Sequence, residues 1–164
     1  DVIADAATLA EAEGATLVDL PGPLQAGSLL TGSRSDALDR LAAEGMPMGV
    51  VSNASGQIDA VLIREVCQVG PGRHIAMRCI IDSQVVGVAK PDPAIFDHAL
   101  PYFAEFDRSR IAYVGDSVTM DVGAAAAAGL HPILLDPYED HADADFERIR
   151  SVAELAPPRV GPDV

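Results

Sequence analysis

Short, wholly apolar runs set between helix-length amphipathic stretches constrain this chain more than any other feature. "MGVV" (48–51), "IAYV" (111–114) and "PILL" (132–135) are too short to be helices and do not alternate apolar with polar. Each therefore reads as a strand buried on both faces, the mark of a parallel sheet with helices above and below. Helical patterns lie between them. In "SRSDALDRLAAEG" (33–45), Leu38, Leu41 and Ala42 share a face, Ser33 or Ser35 is placed to cap, and Gly45 stops the helix. "SGQIDAVLIREV" carries Ile58, Val61 and Leu62 on one stripe. "PDPAIFDHAL" opens with Asp92 as cap and Pro93 at the first helical position, and Pro101 is expected to kink or end that helix. "TMDVGAAAAAG" closes at Gly129, and "DFERIRSVAEL" reads as a last helix. The stretch 67–91 is less regular, with a strand expected near Met77–Ile81 and an extended piece at Val85–Val88. The expected architecture is one α/β domain over residues 1–156, with an atypical segment at 1–32 and a frayed tail at 157–164.

Composition narrows the functions. The formal net charge is −14, from 11 basic and 25 acidic residues, and such a surface repels a phosphate backbone. Aromatic residues are 4% of the chain, too few for a base-stacking platform, so no nucleic-acid partner is expected. No apolar run approaches the ~20 residues of a membrane span, and no signal peptide is seen, which makes the cytoplasm the expected location. Residue 1 is Asp rather than Met, which suggests a start that was processed or cut away. Cys67 and Cys79 have no metal-ligand spacing and read as buried free thiols. His74, His98, His131 and His141 share no spacing that suggests a metal. "DPYEDHADADFE" groups Asp136, Asp140, His141, Asp143 and Asp145 without the order or glycine of an EF-hand, and is taken as a solvated loop and helix N-terminus.

The polar residues that follow the strands carry the functional signal. In an open parallel sheet, ligands sit beyond the carboxyl ends of the strands. Ser52-Asn53 follow "MGVV", Asp116 follows "IAYVG", and Lys90 follows "VVGVA". A serine capping a helix, a surface lysine and an acid at a helix N-terminus each have an ordinary structural explanation. Their combination does not.

In this order, over roughly residues 33–136, these residues resemble the haloacid dehalogenase-like (HAD) hydrolase superfamily, most of whose members are phosphatases. "VVSNASG" is similar to its second motif. "VAKPDPAIF" is similar to the third, in the Lys-Pro-Asp-Pro form of phosphoglycolate-phosphatase-like members. "YVGDSVTMDVGAAAAAG" is similar to the fourth. The resemblance implies a Rossmann-like HAD core, an Mg²⁺ cofactor, and hydrolysis of a small phosphorylated metabolite through an aspartyl-phosphate. It makes Ser52 and Lys90 catalytic, with Ser52, Asn53 and Lys90 binding substrate: Ser52 would donate a hydrogen bond to a phosphoryl oxygen, and Lys90 would be a fixed positive charge. Asp116 would be catalytic through the metal that it holds, with Asp121 ligating it or orienting its water. A phospho-acceptor receiver domain uses similar residues, but its acidic pair belongs on the first strand, before the lysine rather than after it.

The family's first motif, Asp-x-Asp-Gly-Thr, supplies the nucleophile and the general acid, and no such string exists here. "ATLVDLPGPL" offers Asp19 as a catalytic nucleophile, with Pro21 in the acid/base position and Pro23 in that of the Thr. "VIADAATL" offers Asp5, though "ADAATLAEAEG" reads better as helix. A third account is that the chain is a fragment, with the true first strand and a cap upstream. The intervals from Asp19 to Ser52 and from Ser52 to Lys90 hold no room for a full cap domain. A loop, a lost segment or another subunit would cover the site, which leaves a homo-oligomer open. Two alternatives to a phosphatase stand: a catalytically impaired HAD-fold protein that binds phosphate, metal or a partner, and a dehalogenase-type hydrolase.

Overall fold

The structure, a computed structural model, describes residues 15–18 and 33–155. Asp5, Asp19 and the expected tail lie outside the described residues. Six strands form one parallel sheet: β1 (Ala15–Val18), β2 (Met48–Ser52), β5 (Ile80–Asp82), β6 (Ile111–Gly115), β7 (His131–Leu135) and β8 (Glu147–Ile149). Their spatial order is β5-β2-β1-β6-β7-β8, so β1 is central and the chain winds outward from it in both directions. Val18 pairs in register with Val50 on one side and Val114 on the other. A separate parallel pair joins β3 (Cys67–Val69) to β4 (Ile75–Met77).

Successive side chains along each strand enter opposite cores. Val18, Val50, Ala112, Val114 and Ile133 pack with Leu38 and Leu41 of α1 (Ser33–Ala43) and with Ile58 and Leu62 of α2 (Ile58–Glu65). Leu17, Val51, Ile111 and Tyr113 pack on the other face with Ile95, Phe96, Phe103 and Ala124. Burial on both faces explains why the strand segments do not alternate with polar residues. Cys67 and Cys79 are free and buried, and burial pushes each thiol up to about 12.

Four expectations are corrected. The strand expected near Met77–Ile81 is two strands, β4 and β5, divided at Arg78-Cys79. The piece expected to be extended at Val85–Val88 begins inside a helical turn, α3 (Ser83–Val86), because Asp82 caps it by accepting from the Gln84 N–H and Gly87 closes it at φ 76°. The helix opened by Asp92 consists of two 3₁₀ segments, Pro93–His98 and Leu100–Phe103, with the break ahead of Pro101. The last helix is replaced by β8 and a 3₁₀ turn at Val152–Leu155. Phe146, Ile149, Val152 and Leu155 have helical spacing, but β8 instead satisfies the open edge of β7, and the Asp136 N–H donates to the Ile149 carbonyl at 2.8 Å.

Candidate active site

Because the strands are parallel, their carboxyl ends share one edge of the sheet. Ser52 ends β2, Gly115 ends β6 with Asp116 immediately after it, and Lys90 arrives from the loop beyond α3. Lys90 is at the centre of what gathers there. Its Nζ donates to Asp121 Oδ1 at 2.6 Å and to the Tyr113 hydroxyl at 2.7 Å. Only 1% of the Lys90 side chain and 2% of that of Asp121 remain exposed, so the pair is held out of water. Its two charges interact far more strongly there than a surface pair would, and each depends on the other for compensation.

Tyr113 organises this pair. It projects from β6 into the core, where Phe96 meets its ring edge-on at 4.7 Å between centroids. Its hydroxyl lies 3.0 Å from the Val51 carbonyl of β2 and 3.2 Å from Asp121 Oδ1, and can donate its one proton to either. It thereby links the ends of two strands that flank β1.

Asp121 sits in a π turn, Val118–Gly123, that leads into α4 (Ala124–Ala127). Its second oxygen accepts from the Ser117 N–H at 2.9 Å. Gly115 makes room for it: a Cβ on Gly115 would lie 2.2 Å from Asp121 Cγ and 2.5 Å from Oδ2. The glycine before Asp116 is therefore a requirement of packing against Asp121.

Asn53 grips the other end of Lys90. Its Oδ1 accepts from the Lys90 N–H and its Nδ2 donates to the Lys90 carbonyl, both at 2.9 Å. Ser52 lies between Asn53 and Val51, is 1% exposed, and pairs in register with Asp82 of β5. The buried Asp82 carboxylate shapes the loop after β2, accepting from the Gly56 N–H at 2.8 Å and the Ile58 N–H at 3.3 Å. Ser83 adds a reciprocal contact with the backbone of Ala54.

Asp116 differs from all of these. It is exposed, and among the described residues no hydrogen bond or ion pair engages its carboxylate. Mg²⁺ takes hard oxygen ligands, commonly one or two carboxylates together with several waters. An open carboxylate suits that chemistry. Both oxygens of Asp121 already take protein donors, which suits the orienting role better than direct ligation. No group of three His, Cys, Asp or Glu side chains able to hold a metal is present among the described residues.

The structure thus joins Lys90 to Asp121 and sets Ser52 between Val51, whose carbonyl meets the Tyr113 hydroxyl, and Asn53, which bonds the Lys90 peptide. Sequence reasoning missed Tyr113, Asp82 and Ser83. For Tyr113 a signal was present: a phenol inside an otherwise aliphatic buried strand must find a partner for its hydroxyl.

Comparison with known proteins identifies the family and agrees with the fold. A family model, the haloacid dehalogenase-like hydrolase, matches residues 4–129. The pyrimidine 5'-nucleotidase YjjG of Escherichia coli is 32% identical over 119 residues, which cover 73% of this chain and 45% of that protein. A 2-haloacid dehalogenase from Pseudomonas syringae superimposes with a TM-score of 0.59 at 27% identity, covering 76% of this chain and 50% of the other. A HAD phosphatase from Thermococcus onnurineus shares the fold with a TM-score of 0.63 at 23% identity, over 76% of this chain and 55% of that one. The chain spans about half the length of the curated relatives it matches. It belongs to the haloacid dehalogenase-like hydrolases.

Proposed function

We propose that this chain carries the core of an Mg²⁺-dependent phosphomonoester phosphatase acting on a small phosphorylated metabolite. One observation supports it above the rest: Lys90 and Asp121, 31 residues apart in sequence, form a buried 2.6 Å ion pair at the sheet edge where Ser52 and Asp116 also stand. In this reading the Lys90 charge and the Ser52 hydroxyl stabilise the phosphoryl oxygens, and Asp121 fixes the ammonium. Asp116 holds the metal, which when bound neutralises phosphoryl charge. The nucleophile is assigned to Asp19. A carboxylate oxygen bonds to phosphorus, the ester P–O bond breaks, and the leaving alkoxide takes a proton from water, since Pro21 has none to give. Water then hydrolyses the aspartyl-phosphate.

The test is turnover of p-nitrophenyl phosphate with and without Mg²⁺. The expected result is metal-dependent turnover that Asp19→Asn abolishes and that Lys90→Met lowers by roughly 10²–10³-fold, the usual effect of losing one preorganised charge-stabilising donor. Turnover that ignores both metal and Asp19 would refute the scheme. Pro21 favours a second reading, a HAD-fold protein that binds phosphate or metal without turning substrate over. Metal binding with no hydrolysis would select it.

A further inference from the structure

Asn53 follows Ser52 at the mouth of the site, where a side chain would be expected to face substrate. Its geometry gives it another task. Both polar atoms of its amide are used on one peptide unit, the N–H and C=O of Lys90, across 37 positions of sequence. The two bonds are of equal length, 2.9 Å, and satisfy the acceptor and the donor of the side chain together. At the far end of the same residue, Tyr113 and Asp121 hold the ammonium. Lys90 is therefore fixed at its backbone and at its charge by residues from three separate segments. A lysine has several rotatable bonds, and fixing only its ammonium would leave the loop that carries it free to drift.

We propose that Asn53 is a positioning residue for Lys90 rather than a contact for the substrate. The amide clamps the Lys90 peptide to the end of β2, so that the ammonium stays where the phosphoryl oxygens form. The role in turnover rests on the phosphatase reading above, whereas the clamp itself does not. Asn53 is exposed, so its substitution leaves the core intact.

The test combines backbone amide exchange, followed by NMR on this chain, with steady-state kinetics on p-nitrophenyl phosphate. In Asn53→Ala the Lys90 amide proton should exchange about five- to tenfold faster, the size expected for losing one intramolecular hydrogen bond. Asn53→Asp keeps the acceptor and loses the donor, and should restore protection of the Lys90 N–H. In the kinetics, Asn53→Ala should lower kcat and leave KM unchanged. Unchanged exchange at Lys90 in Asn53→Ala would overturn the clamp. A rise in KM at constant kcat would return Asn53 to the substrate. If the wild-type chain shows no turnover, the phosphatase reading fails by that result, and the exchange measurement alone decides the clamp.

Discussion

β6 and β7 are neighbouring parallel strands, and each is followed at the same sheet edge by an aspartate. The two acids have opposite fates. Asp136, after β7, is buried, and its carboxylate accepts from the Asp140 N–H at 3.0 Å, the His141 N–H at 3.1 Å and Arg148 Nη1 at 3.1 Å. It ties down the start of the loop that leads to β8, whose Asp140, His141, Asp143 and Asp145 stay exposed, as expected of a solvated stretch. Asp116, after β6, is open. The acid that β6 does commit to structure is Asp121, five residues on, sealed against Lys90. An acid after a buried strand is thus no sign of chemistry in itself. What separates the two ends is whether the protein has already taken up the carboxylate's oxygens.

The largest expected effect breaks the sealed pair. Asp121→Ala should cost about 3–5 kcal/mol in urea unfolding, because it strands a buried ammonium. A loss near that of a surface substitution would show that Lys90 can find water or another partner. Next, Gly115→Ala puts a methyl into the Asp121 carboxylate and should cost about 1–3 kcal/mol, read as a lower melting temperature.

Asp136 tests the other side of the comparison through pH. Burial pushes its carboxyl up, but the His141 N–H, Arg148 and the Asp140 N–H outweigh this and hold it below the ordinary carboxylate range. A carboxyl lowered in the folded state adds stability above the unfolded value of about 3.9, and that stability is lost as pH falls through the folded value. Wild type and Asp136→Asn should therefore differ at neutral pH and converge on acidification below about 4. A gap that widened there would reverse the assignment. The smallest effect belongs to Asp116→Asn, which should leave stability within about 0.5 kcal/mol of wild type.

The sheet was legible because its strands are short and buried on both faces, a pattern that needs no knowledge of partners. The site was legible as a set of residue types at strand ends. Lys90 was singled out that way and Asp121 through the family resemblance, yet their mutual contact was not, since nothing in sequence says which acid a lysine 31 residues away will meet. Tyr113 offered a signal, but the partner of its hydroxyl was hidden, because it lies across the sheet at Val51, 62 residues away. Asp82 was hidden for a similar reason, as its backbone partners precede it by 24 and 26 residues. Helical spacing at 146–155 misled because an unpaired sheet edge outweighed it.

The central claim is that the open Asp116 after β6, and not the engaged Asp136 after β7, is the strand-end acid that takes a cation. Titrating the chain with Mn²⁺, a paramagnetic substitute for Mg²⁺, and following backbone amide signals by NMR tests it directly. Broadening should begin at Gly115, Asp116 and Ser117 and vanish in Asp116→Asn. Broadening centred on residues 136–145, or unaltered in that variant, would contradict it.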